Sequence, residues 1–311
     1  MKHQLRFQTL AVSGGLATVL QSRVNGGLAL EINNGAQAAL VSFSVGLILL
    51  SAYAILTPAV RAGVSKVTKA VGGQLHWWQV IGGTMGAAFV AVQSITVPLV
   101  GVAIFTIATI AAQTGNSLLV DRLGIGPAKV HFSSLRIVAA GLAIFGVAIA
   151  VSKRFSDIDF PRWAVLAALF IGALVAVQHA LNGRVRAVAE NAFSTAWLNF
   201  FFGVMALSVF NLMLWISSGT SWTSLPFNKP WLFLGGALGT YFIVVAASVI
   251  RHLGSLQFTL ATTAGQLLGS LALDLLLPLP GAQVDATLLL GLSITAAAVV
   301  LAGIQKPKPI G

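Results

Sequence analysis

The sequence GLATVLQSRVNG at residues 15–26 returns as GALVAVQHALNG at residues 172–183. Gly15, Gln21, Asn25 and Gly26 fall on Gly172, Gln178, Asn182 and Gly183 at an offset of 157, which also carries Phe43 and Gly46 onto Phe200 and Gly203. A second block follows at an offset of 153. There Gly82, Gly83 and Gly86 match Gly235, Gly236 and Gly239. Further along, Gly101, Phe105, Thr106, Thr109, Gln113 and Asp121 match Gly254, Phe258, Thr259, Thr262, Gln266 and Asp274. Amides and hydroxyls that recur in register inside apolar runs mark an internal repeat. The repeat divides the chain into 1–153 and 154–311, with a shortening after the second apolar run of the second half.

The surrounding composition belongs to a membrane. The chain has 311 residues, 57% of them hydrophobic and only 8% charged, and its mean hydropathy is +0.91. A water-facing domain of this length would carry roughly 78 charges, at about 25% of its residues. This chain has 18 basic and 7 acidic ones. A soluble enzyme, a disordered chain and a disulfide scaffold are thereby excluded, the last also by the absence of cysteine. The net charge of +11 follows from basic residues collecting in cytoplasmic loops, so no nucleic-acid partner is implied. The charged start Met1–Arg6 leads into an apolar run too long for a cleaved signal, which reads as a first membrane helix.

About 20 apolar residues in a helix cross a bilayer core. Ten segments qualify, near 8–29, 36–57, 78–97, 102–121, 134–152, 163–185, 194–216, 231–250, 255–277 and 286–304. Their continuous hydrophobicity predicts an all-α transmembrane fold and excludes a β-barrel. The longest connections fall near 58–77 and 217–230. With the N-terminus in the cytoplasm, 13 basic residues lie inside: Lys2, Arg6, Arg61, Lys66, Lys69, Arg122, Lys129, Arg136, Arg184, Arg186, Arg251, Lys306 and Lys308. Lys153, Arg154, Arg162 and Lys229 make 4 outside. That bias predicts both termini inside. Five crossings per half is an odd number, so the second half enters the membrane from the opposite face. The halves are expected to be inverted repeats, the architecture that supports alternating access in transporters.

Polar groups within spans are the candidates for a site, because unpaired ones are costly in lipid. Gln21 and Asn25 share one helix face, and Gln178 and Asn182 repeat it. Thr106, Thr109 and Gln113 line a face of the fourth span, repeated by Thr259, Thr262 and Gln266 in the ninth. The expected substrate-binding set is Gln21, Asn25, Gln178, Asn182, Gln113, Gln266, Thr109 and Thr262. Two readings stand for the amide pairs, pocket lining or interhelical bonding. The threonines are suited to bonding carbonyls of their own helices. Gly82-x3-Gly86, Gly235-x3-Gly239 and Gly265-x3-Gly269 read as close-packing faces. Asp121, Asp274 and His179 are the candidates for proton or ion coupling. For the aspartates the alternative is a carboxylate paired with Arg122 or a helix end, and for His179 a satisfied core histidine. Arg23 is placed to extend its head toward the outer interface. No metal-ligand spacing, phosphate loop or catalytic constellation is present, so no cofactor, metal or enzymatic activity is expected.

The Gln-x3-Asn of the first span, Val41-Ser42-Phe43-x2-Gly46 in the second and Ala264-Gly265-Gln266-x7-Asp274 in the ninth resemble the YdcZ-type members of the drug/metabolite transporter superfamily. Those members usually comprise five spans, and this chain resembles two fused copies over nearly its whole length. The resemblance implies a multi-pass carrier or exporter of small metabolites in the bacterial inner membrane, with a central site between the halves. The membrane-embedded Glu of the small multidrug members has no counterpart, since Gln21 and Asn25 occupy that region; this speaks against proton-coupled export of cationic drugs. The leading expectation is a secondary transporter for a small metabolite. The alternative is a membrane-embedded lipid-binding or partner subunit, and a channel is disfavoured by the lack of a charge ring or carbonyl filter. A monomer and a homodimer are both compatible with the sequence.

Overall fold

A computed structural model describes residues 2–126, 134–220 and 222–304. Lys129, Lys306 and Lys308, which were assigned to the inner face, lie outside the described residues. The helices are α1 (Lys2–Ile32), α2 (Gly35–Leu56), α3 (Pro58–Ala70), α4 (Trp77–Val80), α5 (Gly83–Val100), α6 (Val102–Leu123), α7 (Ser134–Val151), α8 (Arg162–Ala189), α9 (Ala192–Ser218), α10 (Gly235–Leu276) and α11 (Ala286–Ile304). A short 3₁₀ turn at Pro230–Phe233 precedes α10. Seven of these, α2, α5, α6, α7, α8, α9 and α11, contain stretches long and apolar enough to cross a membrane. The chain is an all-α membrane protein.

The repeat is written into the backbone as well as the letters. Helix α1 ends at Asn33, in the left-handed region at φ 48°, and the Asn34 side chain then caps α2 by accepting from Gln37 N at 2.9 Å. At an offset of 157, α8 ends at left-handed Glu190, φ 54°, and Asn191 caps α9 by accepting from Phe193 N and Ser194 N. Capping by Asn satisfies amides at the helix start that have no intrahelical acceptor. Glycines 101 and 254 form the second structural pair. Gly101, at φ 87° and ψ 164°, separates α5 from α6, and Gly254, at φ 76° and ψ 162°, breaks α10 into two arms. A side chain disfavours that backbone, so glycine is required at both sites.

The connection expected over 58–77 is not structureless. Pro58 starts α3, whose Val60, Gly63 and Val67 are buried while Arg61, Lys66 and Lys69 are exposed. Ser194 Oγ of α9 donates to Val60 O at 2.8 Å, which ties α3 to the main body. The helix is too polar to register as a span; its amphipathic period marks it as one lying along the surface.

The core centres on α6. Val102, Ala103, Ile104, Phe105, Ile107 and Ala108 are all buried, surrounded by α7, α8, α10 and α11. Helix α1 packs along α10, and α2 against α9. In the second of these crossings Phe43 and Phe200 meet across the repeat, with ring centroids 4.9 Å apart.

Candidate functional site

The polar faces of each half are held against the glycine faces of the other. Asn25 lies against Gly235, and Gln21 against Gly239, where a methyl group would stand 3.2 Å from Gln21 Nε2. The repeat copy does the same in reverse. Asn182 lies against Gly82, 3.3 Å from a methyl group built there, and Gln178 against Gly86. The Gly-x3-Gly faces therefore do two things. They permit close helix approach, as small residues do in membranes, and they give each amide pair a backbone surface from the opposite half.

Asn25 of the first pair and both members of the second belong to hydrogen-bonded networks. In the first, Asn25 Nδ2 donates to Gln93 Oε1 at 3.1 Å and Gln93 Nε2 donates to Ser22 Oγ at 2.6 Å. Asn25, Ser22 and Gln93 are buried, at 0%, 3% and 1% exposure. In the second, Asn199 Nδ2 donates to Asn182 Oδ1 at 2.9 Å, and Gln178 Nε2 to Asn199 Oδ1 at 3.3 Å. These three residues are only half-buried. One network is thus closed and its partner partly accessible. The two networks also differ in their bridging residue. Gln93, from α5, serves the first; Asn199, from α9, serves the second. Ser42 is the repeat mate of Asn199, but its buried hydroxyl has no hydrogen-bond partner among the described residues.

Gln113 and Gln266, though repeat mates, make different contacts. Gln266 Nε2 donates to Thr18 Oγ1 on α1 at 3.0 Å, while Gln113 Nε2 lies 3.0 Å from His179 Nδ1 on α8. His179 is exposed. Thr109 and Thr262 are turned inward on their own helices. Thr109 Oγ1 donates to Phe105 O and Thr106 O, both at 3.0 Å, and Thr262 Oγ1 to Phe258 O and Thr259 O, both at 2.9 Å. Their backbone carbonyls matter more, because a methyl group at Gly172 or Gly15 would overlap them.

The two matched aspartates have diverged. Asp274 accepts from Val102 N at 2.9 Å and Ala103 N at 2.8 Å, and so caps the start of α6 beside Gly101. Asp121 pairs with Arg136 Nη2 at 2.8 Å. Asp274 thus lies at a helix end, and Asp121 forms an ion pair with Arg136. Around Asp274 the α10–α11 turn is tied down. Gly281 N donates to Pro98 O at 2.8 Å, and Arg154 donates to Gly281 O and Gln283 O. Arg154 lies in the α7–α8 connection, where burial pulls its pKa below the usual arginine value, opposed by the charges of Asp285 and Asp274.

Gln93 and Asn199 were not among the residues expected from the sequence. Asn199 was within reach, since it matches polar Ser42 at an offset of 157. Gln93 was not, since its mate at 153 is Ala246. A groove of about 410 Å³ lies apart from both networks, on α9 around Phe202, Met205, Phe210 and Met213. Its nearly wholly apolar lining suits lipid chains rather than a polar cargo.

The chain matches the family described as "Putative inner membrane exporter, YdcZ" twice, over residues 7–149 and 163–301. No curated protein matches it. The two matched copies correspond to the two halves whose amide pairs and glycine faces interlock, and together they cover most of the sequence. The chain accordingly belongs to the YdcZ family in a fused two-repeat form, and is a multi-pass transporter-type protein of the inner membrane.

Proposed function

We propose that this chain is a secondary transporter that moves a small, hydrogen-bonding metabolite across the inner membrane by alternating access between its halves. The observation that carries the reading is the reciprocal contact of each Gln-Asn pair with the Gly-x3-Gly face of the other half. Two copies of one motif, each bound to its opposite, can exchange accessibility without a new fold. In this reading α1 and the two arms of α10 join the seven apolar helices to make ten crossings. Residues 1–153 and 154–311 form the inverted halves, and both termini are cytoplasmic. Gln21, Asn25, Gln178, Asn182, Gln113 and Gln266 present amides to the cargo, with Gln93 orienting Asn25 and Asn199 orienting Gln178 and Asn182. Thr109 and Thr262 hold helix crossings at the edge of the site. Amides that donate and accept favour a cargo of low net charge over a cation. Asp121 and Asp274 serve end contacts, and His179, accessible beside the neutral Gln113 amide, is the group through which proton coupling would run.

Purified protein in liposomes loaded with a soluble metabolite extract tests the proposal. Protein-dependent efflux of particular compounds, lost in Asn25→Ala and Asn182→Ala, is expected. Binding of those compounds without flux would support a subunit role and overturn transport.

A further inference from the structure

Two arginines outside the amide networks make the same bond at opposite ends of the molecule. Arg23 Nε donates to Leu277 O at 2.6 Å, and Leu277 is the C-terminal cap of α10. Arg184 Nη2 donates to Gly124 O at 2.7 Å, and Gly124 is the C-terminal cap of α6. Its Nε also donates to Ile125 O at 2.6 Å and Gly126 O at 3.1 Å. Leu277 and Gly124 are repeat mates at an offset of 153. The arginines are not mates, since the repeat aligns Arg23 with Ala180 and Arg184 with Gly27. Space resolves the mismatch. The Arg23 guanidinium lies over Gly27, 3.1 Å from where a methyl group would stand, so its head occupies the place that corresponds to Arg184. In the other half Ala180 abuts Gly126, 3.6 Å from a methyl group built there. Each half therefore supplies one guanidinium to one helix end of the other half.

We propose that Arg23 and Arg184 are the two gate latches of this protein, Arg23 at the outer face and Arg184 at the inner, released one at a time. The proposal rests on the two-sided reading above. A guanidinium suits the role because carbonyls at a helix C-terminus lack intrahelical donors and carry the negative end of the helix dipole. Water can take over as their donor when the latch opens, so the closed and open forms are both satisfied. Each bond spans the two halves, so opening one end of the interface requires breaking the bond at that end. The structure holds both latches made, the arrangement of an occluded state.

The chain lacks cysteine, so single reporters need no background removal. Leu279→Cys and Gly126→Cys are matched reporters beneath the outer and inner latch, and Leu279 and Gly126 are both buried. A membrane-impermeant maleimide is applied to right-side-out and to inverted vesicles. Arg23→Gln is expected to raise labelling of Leu279→Cys from outside about tenfold, the shift given by loss of one charge-assisted hydrogen bond. Labelling of Gly126→Cys should stay unchanged. Arg184→Gln should do the reverse from inside. Labelling that rises equally at both ends, or at neither, overturns the proposal. Should a glutamine variant fail to assemble, the matching lysine variant must give the same side-specific order at reduced size, and equal labelling there overturns it too. No substrate is needed, so side-specific labelling without flux would retire the transport reading and leave the latches standing.

Discussion

Phe43 and Phe200 are repeat mates, and each ring fills the space left by the other half's glycine. The Phe200 ring lies over Gly46 and the Phe43 ring over Gly203, with the ring centroids 4.9 Å apart. This reciprocal seam joins α2 to α9. A side chain at either glycine would drive into an aromatic ring that is itself buried. Gly46→Val is expected to lower stability by about 1–3 kcal/mol, the range for overpacking a filled site. Thermal unfolding in detergent measures it. Adding Phe200→Ala should recover part of the loss; strictly additive losses would show that ring and glycine are not coupled.

Backbone crossings should be less forgiving than side-chain ones. Methyl groups at Gly15 and Gly172 would overlap the carbonyls of Thr262 and Thr109, which cannot swing aside as a ring can. Gly15→Ala and Gly172→Ala are therefore expected to destabilise the protein and reduce flux. Gly141 on α7 is the control, because nothing lies within 4 Å of a methyl group there. Gly141→Ala should be neutral or stabilising by up to about 1 kcal/mol, the helix-propensity gain of Ala over Gly. A loss at Gly141 as large as at Gly15 would mean that close approach is not the cause.

Removing Gln93 should cost more than its lack of a repeat partner suggests. Gln93→Leu roughly keeps the volume but leaves Asn25 Nδ2 without its acceptor inside a buried network, while Ser22 retains its bond to Thr18 O. An unsatisfied buried group costs about 1–3 kcal/mol. Asn199→Leu, in the half-buried network, is expected to cost less, because Gln178 and Asn182 are not fully desolvated. Unfolding of the two variants side by side would test this, and the reverse order would contradict the difference in burial.

Topology can be read from two surface positions. Cysteine at Gly219, after α9, should react with an impermeant reagent from outside, and cysteine at Thr68, on exposed α3, only from inside. Inner labelling at 219 would reverse the orientation and, with it, the sides given to Arg23 and Arg184.

The letters of this sequence were sufficient for the membrane, the repeat and most helix bounds. Long apolar runs must be helical where no water can satisfy the backbone, and the repeat is visible because glycines and amides keep their register. Even the α1–α2 and α8–α9 turns are legible, as Asn34 and Asn191 occupy matched cap positions. Helix α3 escaped a hydropathy reading because only one of its faces is apolar.

What the tertiary structure alone decided is which polar group meets which. Gln113 and Gln266 are mates, yet one reaches His179 and the other Thr18, because the mates of those residues, Ser22 and Val175, offer different partners. Asp121 and Asp274 parted in the same way, one to Arg136 and one to the amides of α6. The arginines make the point most sharply. Helices rise about 5.4 Å per turn, and an arginine side chain is long enough to span that distance. Two guanidiniums can therefore occupy equivalent places from positions one turn apart in the repeat. Register along the chain sets where a Cα lies, and packing sets where a long side chain ends.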